Sequence, residues 1–254
     1  MALSYKQISS RLARQIKLLM TDVDGTMTTG DGSLSHAAVE AVRQLEQQGI
    51  TVGLVSGRTL SGLEFLARDF GISGPIIAEN GGVAKLRVDS ELVNLGYSRQ
   101  PAIQALNKLK SLFPAAIQER EDNKDRLVDI VFWSRGVRTE ELIEHLEDTD
   151  LLDSSYILHL VQKGVSKGKT LMGLLEKLGD GGIHPTETMV VGDSSTDLSL
   201  FELFTHSVLI SNPRLPLKQR NKLQKVASYA SNQPFAQGFA EVVLHIVNVR
   251  TSVA

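Results

Sequence analysis

Leu18-Leu-Met-Thr-Asp-Val-Asp-Gly-Thr-Met-Thr28 sets two carboxylates directly after an apolar run and just before a glycine. Ile16 to Met20 is nearly continuous in apolar residues, which reads as a short strand buried on both faces of a parallel sheet. Side chains two apart on an extended segment share a face. Asp22 and Asp24 can therefore face one site at the strand's carboxyl end, where open α/β sheets bind ligands. Gly25 then lets the backbone turn. Two like charges this close repel unless a proton or a cation lies between them, which points to a Mg2+ site with oxygen ligands. One aspartate could attack phosphorus while the other handles the leaving-group proton. Taken alone, the same Asp-x-Asp-Gly run reads equally as a polar turn.

Three further signals follow in order. The apolar run Thr51 to Val55 ends in Ser56, with Gly57 and Arg58 behind it; VSKGKTL carries Lys167 at the start of an expected helix; ETMVVGDSSTD carries Asp193 and Asp197 after another apolar run. Ser56 on its own could cap the helix that follows. A lysine in a first helical turn opposes the helix dipole and so asks for an anionic partner.

This set, headed by DVDGT, resembles the four motifs of the haloacid dehalogenase superfamily of phosphotransferases, and the likeness spans nearly the whole chain outside its middle. The resemblance implies that Asp22 is the nucleophile and forms an aspartyl-phosphate, with its carboxylate also on Mg2+ and the Asp24 backbone carbonyl as a further ligand. It implies that Asp24 is the general acid and then the base, that Asp193 completes the metal shell, and that Ser56 and Lys167 hold the transferring phosphoryl oxygens. Asp197 is counted with the metal group, acting by orienting Lys167 or a metal-bound water. Thr26, Gly57, Arg58 and Asn80 are expected to bind substrate.

The chain has 254 residues, 42% of them hydrophobic and 5% aromatic, enough for one large domain or two small ones. A net charge of −2 gives no electrostatic reason to expect nucleic acid as a partner. The basic run from Arg214 to Lys225 lacks interleaved aromatics and reads as a solvated helix face. Cysteine is absent, which excludes disulfides and thiol catalysis. No run approaches the length of a membrane span, so no membrane partner is expected. The acid-free N-terminus, with Lys6, Arg11, Arg14 and Lys17, raises a transit peptide; a short native helix or tail is preferred because Ile16 already opens the core strand. A cytoplasmic monomer or homodimer acting on a small phosphorylated metabolite is the expectation.

Alternation organises the rest. Ser35 opens a helix stopped by Gly49, Thr59 to Phe70 forms a second helix, and Pro75 to Ala78 a third strand. After the turn formers Asn80, Gly81 and Gly82 the pattern changes: Val83 to Val88 reads as a hairpin or antiparallel strand. It is followed by a helix (Ala102 to Phe113), a strand (Leu127 to Trp133), a helix (Thr139 to Glu147) and a strand (Tyr156 to Val161). From Lys163 the alternation resumes with a helix to Leu178, a strand to Val191, a helix near Leu198, a strand from Val208 to Ile210 and a last helix through Val247. The expected fold is α/β, a Rossmann-like parallel sheet core of the haloacid dehalogenase type (1–82 and 162–254) with an inserted small α+β cap (83–161).

Placement of the cap between the second and third motifs resembles the type-two-capped branch, subclass IIB. That branch includes Cof-like sugar phosphatases, sucrose-phosphate and mannosyl-3-phosphoglycerate phosphatases, archaeal-type phosphoglycolate phosphatases and eukaryotic-type phosphomannomutases. The chain departs from it at Thr196, where the usual fourth motif has asparagine, and at ISNPR, Ile210 to Arg214, where a small-residue loop is usual. GVSKGKT, from Gly164 to Thr170, is one residue short of a nucleotide-binding P-loop. The resemblance implies a Mg2+-dependent phosphatase, with phosphorylated sugars or sugar acids expected ahead of phosphoglycolate. A phosphomutase using the same aspartates and a catalytically silent binding protein are the alternatives. Arg120, Lys124, Arg126 and His159 are the polar cap candidates, each reading singly as a solvated surface side chain. Cap closure is expected to hinge near Gly81, Gly82 and Gly164.

Overall fold

The computed structural model describes residues 1–154, 156–177 and 182–252. In chain order the elements are β1 (Leu3–Ser4), α1 (Ser10–Gln15), β2 (Leu18–Thr21), α2 (His36–Gln47), β3 (Thr51–Val55), α3 (Leu60–Phe70), β4 (Ile76–Ala78) and β5 (Val83–Lys85). Then follow α4 (Gln100–Leu112), β6 (Ile117–Glu119), β7 (Ile130–Ser134), α5 (Thr139–Ile143), β8 (Thr149–Asp153) and β9 (Leu158–Gln162). The chain continues with α6 (Lys167–Lys177), β10 (Thr188–Gly192), α7 (Leu198–Leu203), β11 (His206–Ser211), α8 (Leu217–Val226), β12 (Tyr229–Pro234) and α9 (Phe235–Thr251). Leu178, expected to end a helix, lies outside the described residues.

Eight strands form one sheet in the order β1-β12-β11-β10-β2-β3-β4-β5, parallel throughout except for the antiparallel pair β4 and β5. The central strands are apolar on both faces because helices cover both. In β2, Leu19 enters the core on one side of the sheet, with Val42 and Leu45 of α2 and Phe239 and Val243 of α9; Leu18 and Met20 enter the other, with Leu171 and Leu174 of α6 and Phe201 of α7. The fold is thus α/β with a mostly parallel sheet, as expected.

A second, antiparallel sheet in the order β6-β7-β9-β8 carries the middle of the chain. Ile130, Phe132, Leu158 and Leu160 on one of its faces pack against Leu106 and Leu109 of α4 and Leu142 of α5. The opposite face looks onto the carboxyl ends of β2, β3 and β10, and His159 of β9 lines the cavity between the two sheets.

Several boundaries differ from the sequence reading. The strand expected to open the cap, at Val83, pairs with β4 and belongs to the large sheet, so the cap sheet begins only at β6. Ile16 caps α1 instead of opening β2; Ser9 caps the other end of α1 by accepting the Leu12 N–H. Gly71, at φ 74°, closes α3, while Thr59 caps its start by accepting the Gly62 N–H, so Ser56 is not the cap.

Candidate active site

Three strands end in side chains that converge. Asp22 follows β2, Ser56 follows β3 and Asp193 follows β10, and each is buried. The Asp22 N–H donates to the Val191 carbonyl at 2.9 Å, so the parallel ladder itself holds the two acids side by side. At Gly25, φ is 86° and a Cβ would lie 2.3 Å from Asp193 Oδ2; only glycine lets the turn pass this close to the second carboxylate.

Lys167, the first residue of α6, is buried and donates to Asp22 Oδ1 and to Asp197 Oδ1, both at 2.7 Å. Asp22, Asp193 and Asp197 bring carboxylate oxygens within 4.8 Å of one another. Burial drives the Asp22 carboxyl well above the ordinary carboxylate range; Lys167 opposes this, and Asp197, Asp193 and Asp24 reinforce it. Burial, with the charge of Asp197, pushes Asp193 up to about 7. Burial acts to lower the Lys167 ammonium, but Asp197 and Asp22 outweigh it and the net shift is upward. Three buried acids outnumber the one ammonium, so the site favours either a proton or a cation among them, and the hard oxygen donors match a Mg2+ ion.

The acids have different work. Asp197 Oδ2 accepts the N–H groups of Asp193 at 3.0 Å and Ser194 at 2.9 Å, in addition to its bond from Lys167. Asp197 is thereby tied to the turn and to the lysine, while Asp193 accepts from side chains alone, the Thr26 hydroxyl on Oδ1 and the Asn212 amide on Oδ2. The Asp24 side chain stands apart from this cluster. Arg58 Nε donates to its Oδ2 at 2.8 Å and Nη2 to its Oδ1 at 2.6 Å.

Thr26 and Arg58, both expected to bind substrate, are each bonded to a protein acid. Thr26 is buried and donates to Asp193 Oδ1 at 2.8 Å, and Arg58 is engaged by Asp24 as described. A hydroxyl or guanidinium in a phosphate-binding loop is satisfied as well by a carboxylate of the protein as by one of a ligand, and here the protein's own acids lie within reach. Gly57, Arg58 and Asn80 all line the cavity. Asn80 is 1% exposed, adopts φ 56°, and its Nδ2 has no partner among the described residues. A buried amide donor without a partner is costly, and its position on the cavity wall makes it a donor for an incoming oxygen.

Asn212 was not singled out from sequence. It lies in the ISNPR loop and donates from Nδ2 to Asp193 Oδ2 at 2.6 Å, across 19 residues of chain. The altered loop was visible in the sequence, but nothing there indicated its partner. Thr196 contacts the Ser194 hydroxyl at 2.9 Å and lines the cavity.

The cavity occupies about 610 Å³ between the sheets. Asp22, Ser56, Asn80 and Lys167 lie on its floor, and Arg120, Arg126 and His159 of the cap line it from above, while Lys124 lies on a separate shallow groove. Arg126 and His159 are buried, not the solvated side chains read singly from sequence. Both bind the buried Asp129: Arg126 Nη1 to Oδ1 at 2.7 Å, His159 Nδ1 to Oδ2 at 2.8 Å.

A sequence model described as haloacid dehalogenase-like hydrolase matches residues 19–124 and 89–237. The phosphoglycolate phosphatase of Methanospirillum hungatei is 31% identical over 229 residues, covering 89% of this chain and 94% of that protein. That of Methanoculleus marisnigri is 32% identical over 234 residues, covering 90% and 95%. Among solved structures, a Thermoplasma acidophilum protein superposes with a TM-score of 0.75 at 23% identity, covering 91% of this chain and 98% of its own. The sucrose-phosphatase of Synechocystis sp., solved with sucrose and phosphate, superposes with a TM-score of 0.70 at 20% identity, covering 92% and 98%.

Proposed function

The chain belongs to the haloacid dehalogenase-like hydrolases, in the type-two-capped branch, and is a phosphoric monoester hydrolase; from that premise we propose that it hydrolyses phosphoglycolate or a similarly small carboxylated phosphate ester, with Mg2+ held by Asp22 and Asp193. The observation that carries the chemistry is the arrangement of Asp22, Asp193 and Asp197 around Lys167, with Asp22, Asp193 and Lys167 lining the cavity. The names of the relatives at 31% and 32% identity support the substrate class, and move it ahead of the sugar phosphates favoured by sequence alone.

Bound Mg2+ would supply positive charge to the transferring phosphoryl group and to Asp22. The residues of the chain do the rest. Lys167 takes Asp22 Oδ1, which leaves Oδ2 to attack phosphorus. The Oδ2–P bond forms as the bond from phosphorus to the ester oxygen breaks, giving an aspartyl-phosphate. Asp24 gives its proton to the departing alkoxide, then removes one from the water that attacks the aspartyl-phosphate, so that phosphate leaves and Asp22 is restored. Arg58 takes one lone pair on each oxygen of Asp24, which fixes the carboxylate's direction and leaves the remaining lone pairs for the proton. The Ser56 hydroxyl and the unpaired Asn80 amide are placed to donate to phosphoryl oxygens.

Phosphate release from phosphoglycolate, sugar phosphates, sucrose phosphate and glycosyl phosphoglycerates, each with and without Mg2+, tests this reading, with Asp22→Asn in parallel. Turnover of phosphoglycolate that needs Mg2+ and falls by about 10³-fold or more in the variant is the expected result. Turnover confined to sugar esters would reject the substrate class, and isomerised sugar phosphate without released phosphate would point to a mutase.

A further inference from the structure

The turn between β4 and β5 is strained and anchored. Glu79 and Asn80 both adopt left-handed backbone, at φ 51° and φ 56°, a conformation that non-glycine residues keep only where the surroundings enforce it. Glu79 is fully buried, and its partners lie in the cap. Its carboxylate accepts the backbone N–H of Leu127 at 2.9 and 3.1 Å, of Val128 at 2.7 Å and of Asp129 at 2.9 Å. A charged acceptor taking three backbone donors is a strong and directional clamp.

Packing reinforces it. A Cβ at Gly82 would lie 2.8 Å from Val128 Cγ1, and one at Gly81 2.5 Å from the Ser166 carbonyl oxygen, so the turn is wedged between Val128 of the cap and Ser166, just ahead of α6. The Thr170 hydroxyl also donates to the Gly81 carbonyl at 2.7 Å. Gly81 and Gly82, expected from sequence as a hinge, are therefore held on both sides.

The clamp continues to the cavity. Asp129, whose N–H is held by Glu79, binds Arg126 and His159 through its own carboxylate, and Arg126 Nη1 also donates to the Gly57 carbonyl at 3.0 Å, back on the core. A Cβ at Gly57 would lie 3.0 Å from His159 Cε1 and 3.1 Å from Asn80 Nδ2, so the roof histidine meets the phosphoryl loop directly.

We propose that Glu79 is a positioning residue for substrate selection. By holding residues 127–129 it sets Asp129, and through Asp129 the Arg126 and His159 side chains, at a fixed height above Asp22, and so restricts efficient turnover to small phosphate esters. The proposal rests on the reading of the cavity as the phosphate-ester site. The clamp acts on a part of the substrate remote from phosphorus, where misplacement of a contact alters binding and approach without removing the nucleophile.

The test compares the full-length protein with Glu79→Gln and Asp129→Asn in Mg2+. Backbone hydrogen exchange at 127–129 is measured together with kcat and KM for the best small ester of the panel and for p-nitrophenyl phosphate. Glu79→Gln is expected to speed exchange at 127–129 and to raise KM for the small ester by about 10-fold or more with kcat little changed, while p-nitrophenyl phosphate is turned over as well as before. Asp129→Asn is expected to lose the same discrimination with exchange at 127–129 unchanged. Unchanged exchange in Glu79→Gln, unchanged discrimination despite faster exchange, or an equal loss on both substrates would overturn the proposal. If Glu79→Gln does not fold, Glu79→Asp, one methylene shorter, replaces it under the same criteria. Failure of phosphoglycolate alone rejects the substrate reading and leaves this comparison intact, because the small ester is whichever one the wild type prefers.

Discussion

Arg58 grips both carboxylate oxygens of Asp24, at 2.8 and 2.6 Å, and in doing so links the loop after β3 to the loop after β2. The fork spans 34 residues of sequence and lies at the cavity wall, partly open to solvent. Its planar geometry fixes the direction in which Asp24 presents its oxygens, something a single ammonium cannot do.

Arg58→Ala is accordingly expected to lower kcat by about 10- to 100-fold, part of what a positioned acid-base group contributes, with KM nearly unchanged. Arg58→Lys, which restores charge without the fork, is expected to recover little of it. Steady-state kinetics on the preferred substrate decides; a KM effect in place of a kcat effect would return Arg58 to substrate binding.

Asp193, held up to about 7 by burial and by Asp197, makes metal binding sensitive to pH. An ordinary unfolded aspartate titrates near 4, so the folded, metal-free protein keeps this proton where the unfolded chain has lost it, and the group's contribution to stability declines as pH rises from about 4 to about 7. Mg2+ requires the ionised form. The rise in Tm on adding Mg2+ is expected to be large at pH 8 and to shrink below pH 7, with affinity falling about tenfold per unit. Thermal scans with and without Mg2+ across this range check it; equal shifts at pH 5.5 and 8 would contradict it.

Asn212→Ala removes the amide that holds Asp193 Oδ2. Residues that orient a metal carboxylate typically contribute 10- to 100-fold in metal affinity, so the Mg2+ concentration for half-maximal activity is expected to rise by about that factor, with kcat recovered at saturating metal. A Mg2+ titration of activity separates this from a loss of folding.

Lys167→Met would leave Asp22 and Asp197 buried without their cation. Loss of one partner from a buried ion pair costs about 3–5 kcal/mol, and that loss is expected at pH 7 in the absence of metal. The lysine's folded-state pKa is raised, so its contribution is fully present throughout the neutral range. At pH 5 the deficit should narrow as the Asp22 carboxyl, raised by burial, takes up its proton, which urea unfolding at the two pH values would report.

The large sheet was legible because β2, β3 and β10 must be apolar on both faces, and each ends at a motif residue. The cap sheet was only half legible. β6 reads Ile-Gln-Glu and β8 reads Thr-Asp-Leu-Leu-Asp, edge strands too short or too polar to show an apolar run. Ile16 misled because an apolar side chain packs as well at a helix end as in a strand. At the site, residues in the motifs could be found, but not the direction of their bonds. Thr26 donates to Asp193 and Arg58 to Asp24, and Asn212 and Glu79 act on partners 19 and about 50 residues away, which no local pattern encodes.

The position of β2 in the sheet has a consequence for the birth of the molecule. It pairs with β3 on one side, some thirty residues on, but with β10 on the other, Leu19 opposite Met189, with the whole cap in between. Until residues 188–192 have left the ribosome, β2, whose Leu18, Leu19 and Met20 are buried in the finished sheet, keeps one open edge, the kind of surface on which chains pair wrongly with one another. Closing so long a loop is the slow, entropically opposed event in making this sheet. The sheet that brings Asp22, Ser56 and Asp193 together is therefore complete only once the second half of the chain has docked onto the first.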